Sequence, residues 1–263
     1  MEPMILGILQ VRYSSLRLPK KALKTILGKP MLLHQIERLQ NCKMIDKIVV
    51  ATSVEKSDDI IEHTCFNNDI EVFRGDLNNV LNRFYQCAKL FPSEHIVRLT
   101  GDCPLVDWML IDQMIQYCLE HDFDYVKTSL KFPDGLDAEI MTMDALKEAK
   151  SNAFLPSELE HVTQYIVNRP EYFNNGIYQF NKDLSHLRWT VDEPEDFILV
   201  QKIYQYLYRK NPVFLTDDIL NLLHEHPELN HINNRFIRNE GLENALKRDK
   251  EFFKKCIKNQ SNY

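Results

Sequence analysis

Six residues within one stretch of ten are of the types that hold closely spaced phosphate oxygens: Arg12, Ser14, Ser15, Arg17, Lys20 and Lys21, with no acidic residue among them. Guanidinium forks, ammonium groups, hydroxyls and free loop amides are the donors a polyphosphate needs. By itself such a loop also reads as a solvated basic turn, so its meaning depends on what else the chain supplies. Asp102 and Asp192 supply the complement. Each follows an apolar run and adjoins a proline-containing turn, Gly101-Asp-Cys-Pro104 and Asp192-Glu-Pro194. Two carboxylates with water and phosphate oxygens make the open oxygen site that magnesium favours, although each aspartate alone also reads as a helix cap. Together the set predicts metal-assisted chemistry at a triphosphate, in which positioning and charge compensation replace a protein nucleophile.

A sheet must position these groups. The apolar run opening residues 5–24 reads as a buried strand that passes into the basic loop, and Gly28-Lys-Pro30 marks a turn before a helix over 31–39. Strands follow at 45–51, 70–73, 94–100 and 125–129, separated by helical stretches at 55–68, 78–90 and 108–120, with Arg74-Gly75-Asp76 as a turn. This alternation predicts an α/β fold: a three-layer, Rossmann-like, mostly parallel sheet with helices on both faces. Ligands in such sheets bind beyond the carboxyl ends of the strands, which places Asp102 and the basic loop at one edge. The second half is less regular. Asp134, Asp137 and Glu139 surround a turn running into a strand, helices are expected at 143–150, 158–168 and 194–209, and a late strand at 187–191 precedes Asp192. Two further helices, 216–224 and 240–254, lie in a C-terminal helical extension (211–263) to a nucleotide-binding domain (1–210).

Bulk properties exclude several classes. A chain of 263 residues buries a full core, and a net charge of −6 with a pI near 5.9 argues against broad nucleic-acid binding. The first residues lack a basic start and a long apolar stretch, and no segment approaches the roughly 18 apolar residues of a membrane span, so a cytoplasmic location without membrane contact is expected. Six dispersed cysteines without a C-x-x-C pair read as reduced, mostly buried apolar residues. Arg74 is a candidate for a base or carboxylate contact, or for a surface arginine at the sheet edge. Glu160-His161 reads as a helical surface pair more readily than as an acid/base site. His63-Thr-Cys65 and His224-Glu-His226 lack further ligands nearby, and Arg235 and Arg238 are expected to be solvated.

Gln10-Val-Arg-Tyr-Ser-Ser-Leu-Arg-Leu-Pro-Lys-Lys21 resembles the Q-A-R-x-x-S-x-R-L-P-G-K loop of the sugar cytidylyltransferases, the CMP-sugar synthetases that activate sialic acid and 3-deoxy-manno-octulosonate. The resemblance is to the spore coat polysaccharide biosynthesis protein F branch in particular. It extends through Arg98-Leu-Thr-Gly-Asp-Cys-Pro-Leu105, Pro133-Asp-Gly-Leu-Asp137, Glu160-His-Val-Thr163 and Arg188-Trp-Thr-Val-Asp-Glu-Pro-Glu-Asp-Phe197, with Asn239-Glu-Gly241 matching beyond. It implies a nucleotide-diphospho-sugar transferase fold and transfer of CMP from CTP to an acidic sugar or sugar-like acceptor, with release of pyrophosphate. Carried onto this chain, Gln10, Arg12, Ser14, Ser15, Arg17, Lys20 and Lys21 form the CTP loop, Asp102 and Asp192 hold Mg2+, and Arg74 contacts the nucleotide. Arg12, Lys21, Asp102 and Asp192 are the implied catalytic set. Lys20 stands where the family carries glycine, so it either adds a phosphate contact or points to solvent. Asp134, Asp137, Glu160 and His161 match branch motifs and are expected to shape the acceptor pocket. A homodimer is implied, with 131–181 as acceptor and dimerisation part. The rival readings are a nucleotide-sugar glycosyltransferase, for which the Asp-x-Asp motif is lacking, and a non-catalytic nucleotide-binding protein.

Overall fold

The computed structural model describes residues 4–15, 17–236, 238 and 240–260; Asn239 of the last matched motif and the side chain of Cys256 lie outside the described residues. β1 (Ile5–Gln10) is apolar on both faces and buried from Ile5 to Leu9, the signature of a central strand. The basic loop and a small hairpin, β2 (Thr25–Ile26) with β3 (Lys29–Pro30), lead into α1 (Met31–Leu39). Then come β4 (Lys47–Ser53), α2 (Asp59–Phe66), β5 (Glu71–Gly75), α3 (Val80–Leu90), β6 (His95–Thr100), α4 (Trp108–Glu120), β7 (Tyr125–Thr128) and β8 (Glu139–Thr142). The chain continues through α5 (Met143–Asn152), α6 (Pro156–His161), α7 (Gln164–Val167), β9 (Asn175–Tyr178), α8 (Pro194–Leu207), α9 (Thr216–Glu225) and α10 (Glu240–Gln260).

Seven strands form one sheet in the order β5-β4-β1-β6-β8-β7-β9, parallel except that β8 runs antiparallel to both neighbours. Gln10 is level with Thr100 of β6 and Ala51 of β4, so the loops after these strands emerge side by side at the carboxyl edge. One apolar layer packs α1, α4, α8 and α9 on one face; the other packs α3, α5, α6 and α7 on the opposite face. The extension is tied into this frame: Phe214 is fully buried and its carbonyl accepts from Arg38 Nη2 (2.7 Å).

Four readings of the sequence change. Residues 187–191 form no strand: the backbone meets the rest of the chain at turns, with Asp134 O accepting from Trp189 N (2.6 Å) and Thr190 N (2.9 Å), and Asp102 O from Val191 N (2.8 Å). That approach needs Gly135, whose φ is +108° and where a Cβ would stand 2.3 Å from Thr190 N. The helix expected over 158–168 is broken at Val162, with φ 59° and ψ −56°. Arg74 and Gly75 extend β5 rather than turning. β9 was not legible, because Asn-Gly-Ile-Tyr has no alternation and becomes a strand only by pairing with β7. The five described cysteines are free and four of them are buried.

Candidate active site

The basic loop is fixed by a residue the sequence did not single out. Asp58, buried in the 3-10 turn (Lys56–Asp58) that follows β4, accepts from Tyr13 N (2.8 Å), Thr52 Oγ1 (2.9 Å), Ser53 N (3.0 Å) and Ser53 Oγ (2.5 Å). Burial alone would raise its pKa, but these donors outweigh burial and hold it below the usual carboxylate range. Buried Leu18 and Ala22 anchor the far side of the loop, and Lys20 makes the corner between them with φ 62° and ψ 21°. The position that carries glycine in the family thus keeps the left-handed conformation in a lysine, at a cost of about 1 kcal/mol. The Lys20 ammonium lies 5.6 Å from the Tyr13 ring centroid, while Lys21 turns inward.

Lys21 Nζ sits between the two predicted aspartates: 3.1 Å from Asp102 Oδ2, 2.8 Å from Asp192 Oδ1 and 3.0 Å from the carbonyl of Val191. Burial disfavours this ammonium, yet Asp102 and Asp192 outweigh it and raise its pKa. For Asp102, burial is likewise overcome by Lys21 and Thr100, which bring its pKa down to about 2. The two carboxylates keep 28% and 23% of their side-chain surface. Neither is a helix cap: Asp107 caps α4, and Glu193 is the N-cap of α8, where Asp196 accepts from the amides of Asp192 and Glu193 just ahead of the helix. Arg17 pairs with Asp192 (3.0 Å) and Glu193 (3.3 Å).

Asp192 is held in place from behind. Arg188 donates to fully buried Asp196 through Nε and Nη2 (3.0 Å each) and to Asp134 through Nη1 (2.7 Å). Asn233, from the extension, donates to Arg188 O and Asp196 Oδ1 (2.8 Å each). Arg188, Asp196 and Asn233 were not foreseen as site residues, since nothing local marks a buried arginine between two acids.

The remaining candidates divide. Arg12 and Ser14 are exposed and Ser15 half-buried on the loop. Gln10 accepts from Arg98 Nε (3.2 Å). Arg74 is spent within the scaffold, its Nε and Nη2 on the carbonyls of Ser53 and Glu55 (2.9 Å each) and its Nη1 on Asp59 (2.8 Å) and Glu62 (2.7 Å). Asp134 and Asp137 lie on the Arg188 side, where Arg238 pairs with Asp137 and donates to Phe132 O (2.9 Å); Arg238 is therefore not a solvated arginine. Glu160 and His161 are elsewhere: Glu160 pairs with Arg248 of α10, and His161 is half-buried beside Arg98 and Glu139. The four expected acceptor residues thus fall into two groups.

Residues 6–223 match the family model described as cytidylyltransferase. An uncharacterised protein of Methanocaldococcus jannaschii is 36% identical over 87% of this chain and 94% of its own length. The spore coat polysaccharide biosynthesis protein SpsF of Bacillus subtilis is 32% identical over 85% of this chain and 95% of its own. The structure of a cytidylyltransferase from Leptospira borgpetersenii superposes with a TM-score of 0.84 at 30% identity, covering 90% of this chain and all of that one.

Proposed function

The chain belongs to the cytidylyltransferase family, and from that premise we propose that it transfers CMP from CTP to an acidic sugar or sugar-like acceptor, releasing pyrophosphate, in surface-polysaccharide or glycan biosynthesis. The observation that carries this reading is the Lys21 ammonium held between Asp102 and Asp192, at the edge where the basic loop leaves β1. A cation already bridges the two carboxylates, each of which keeps part of its side-chain surface exposed.

The donor set fits magnesium. Two half-open carboxylates converge on one point, and among the described residues there is no closed group of three or more ligating side chains, so water and phosphate oxygens would complete the shell. Asp102 and Asp192 would hold the ion, which when bound supplies charge neutralisation at the reacting phosphate. Arg17 and Lys21, now committed to carboxylates, would move to phosphate oxygens as that charge is taken over, with Arg12, Ser14, Ser15 and the loop amides completing the cradle. Lys20 stays outside, beside Tyr13. The chain's share of catalysis is then to align the triphosphate with an acceptor hydroxyl and to offset developing charge.

A homodimer through 131–181 is supported by exposed Phe154, Tyr172 and Ile177 within that segment. The proposed reaction, on a soluble nucleotide, is one of the cytoplasm; no helix among the described residues is long and apolar enough to cross a membrane.

Incubation with CTP, Mg2+ and a panel of 3-deoxy-2-keto sugar acids is expected to release pyrophosphate with at least one of them. A folded protein that releases none with any acceptor overturns the assignment. Light scattering at micromolar concentration tests the dimer, and a monomer removes it.

A further inference from the structure

Asp102 is the one residue of 101–107 that is not buried; the loop on either side of it is sealed inside the molecule. Buried backbone has to be hydrogen-bonded, and the partners here follow a pattern. Four alternate carbonyls, those of residues 100, 102, 104 and 106, each take a donor from an element remote in the chain. Thr100 O accepts from Gln35 Nε2 of α1 (2.8 Å), Asp102 O from Val191 N (2.8 Å), Pro104 O from the hydroxyl of Tyr204 in α8 (2.7 Å), and Val106 O from Arg38 Nε of α1 (2.8 Å). Gly101 closes the start of the loop: its N–H donates to Gln10 O (2.8 Å), and a Cβ there would stand 2.9 Å from Val11 Cγ2. The loop is thus held along its whole length.

Three of these donors are side chains, and all three are buried, Gln35 and Tyr204 completely and Arg38 to 2% exposure. Gln35 and Arg38 sit one turn apart on α1 and grip the two ends of the loop. Stability alone does not explain them. Gln35 Oε1 and Arg38 Nη1 are buried with no partner among the described residues, and a buried polar atom left unpaired opposes folding. A buried cation costs more still, and burial pushes the Arg38 pKa down. Each side chain carries that cost at one end while its other end fixes a loop carbonyl. The grip is itself locked. Arg38 Nη2 donates to Phe214 O (2.7 Å), its guanidinium lies 4.2 Å from the Phe214 ring centroid, and the Tyr204 ring is braced by the His34 ring at 4.6 Å.

We propose that Gln35, Arg38 and Tyr204 are positioning residues for Asp102: they set the backbone from which this carboxylate meets the metal and the triphosphate, before either is bound. The proposal rests on the cytidylyltransferase reading. A carboxylate on a fixed backbone needs no reorganisation when the ion arrives, whereas one on a loose loop loses affinity and alignment together. The two aspartates are then supported by different means. Asp192 is backed by charge, through Asp196 and the fork of Arg188, and Asp102 is backed through its main chain.

The test compares the full chain with Gln35→Leu, Tyr204→Phe and a control, Ser157→Ala, which loses a buried hydroxyl bond to Asp249 (2.5 Å) on the opposite face of the sheet. Tyr204→Phe removes a single oxygen and keeps the packing. Without nucleotide, Mn2+ affinity by calorimetry should fall about tenfold in both loop variants and stay within about twofold of wild type in Ser157→Ala. With CTP, Mg2+ and the sugar-acid panel, kcat for pyrophosphate release should fall about tenfold or more in both loop variants. CTP affinity measured in EDTA should stay within about twofold, because the basic loop is untouched. Mn2+ affinity and kcat both at the wild-type level in the two folded variants overturn the proposal. So does an equal loss in Ser157→Ala, which would make the effect one of stability alone. Pyrophosphate release by wild type with both variants unchanged removes the positioning role and keeps the reaction. Weaker Mn2+ binding by the variants of a protein that releases no pyrophosphate removes the reaction and keeps the positioning role. A wild type that neither binds Mn2+ nor releases pyrophosphate removes both.

Discussion

Two cation–carboxylate clusters share the segment 188–196 and are built on opposite principles. In one, a flexible ammonium, Lys21, bridges two half-open carboxylates, Asp102 and Asp192, and half-exposed Arg17 adds a second cation on Asp192. In the other, the rigid fork of Arg188 serves fully buried Asp196 together with Asp134, and Asp196 receives in addition Asn233 and the amides of Asp192 and Glu193. The first is open enough for its cation to be exchanged; the second is sealed because losing its cation would leave a bare buried charge. In the proposed reaction the first cluster would change partners during turnover while the second keeps it in register.

The largest break in this comparison is expected from Asp102→Asn, which keeps the shape but removes one of the two charges. Pyrophosphate release should fall about a thousandfold with the fold intact by circular dichroism. A loss below tenfold would mean that the open cluster is not where the triphosphate is handled. Next, Arg188→Met should cost about 3–5 kcal/mol in urea unfolding, since Asp196 is left charged and buried. If the cost were under about 1 kcal/mol, the sealed cluster would be no more structural than a surface pair.

The pH dependence of the sealed side carries a definite sign. Burial, then the nearby Asp137 charge, raise the Asp134 pKa to about 6 despite Arg188, whose charge is already shared with Asp196. The unfolded value is near 3.9, so between roughly pH 4 and 6 the folded state binds a proton the unfolded chain has released, and this residue's contribution to stability falls as pH rises through that window. Asp134→Asn should flatten the change by about 1–2 kcal/mol between pH 4.5 and 7 in matched urea titrations; an identical slope in both proteins would remove Asp134 as its source. The smallest effect sharpens the idea of exchange: Lys21→Met, measured calorimetrically without nucleotide, should bind Mn2+ about tenfold more tightly because the competing ammonium is gone, a gain of about 1.4 kcal/mol. Weaker or equal binding would show that Lys21 supports the metal position rather than holding it in reserve.

The amino-terminal half was legible to within a few residues at most element ends. Helices 31–39 and 108–120 coincide with α1 and α4, because each apolar face repeats at helical spacing and the strands between them are short apolar runs. Asp102 at the carboxyl edge followed from that regularity. The carboxyl half was read less well, for identifiable reasons. Residues 187–191 are apolar and β-branched enough for a strand, yet their hydrogen bonds go to Asp134 and Asp102. Val162 has nothing in its type to announce a positive φ. Arg238 looked like one more basic residue in a polar tail, and only the return of that tail onto the 130–137 turn engages it.

The sequence by itself determined the donor types of the phosphate loop, the strand that launches it, the pairing of a loop with two strand-end acids, and the family to which these motifs point. The tertiary structure alone decided which of two adjacent lysines turns inward, that Arg74 is consumed by the scaffold, and that Arg188, which no local signal marks, backs the Asp192 turn through Asp196. The division has a physical cause. Element type is written in spacings of two to four residues, which local sterics and burial enforce, whereas Lys21 meets Asp102 and Asp192 across 81 and 171 residues of chain. Which side chains share a charge at such separations is settled by packing, and by a lysine taking the left-handed corner where the family carries glycine.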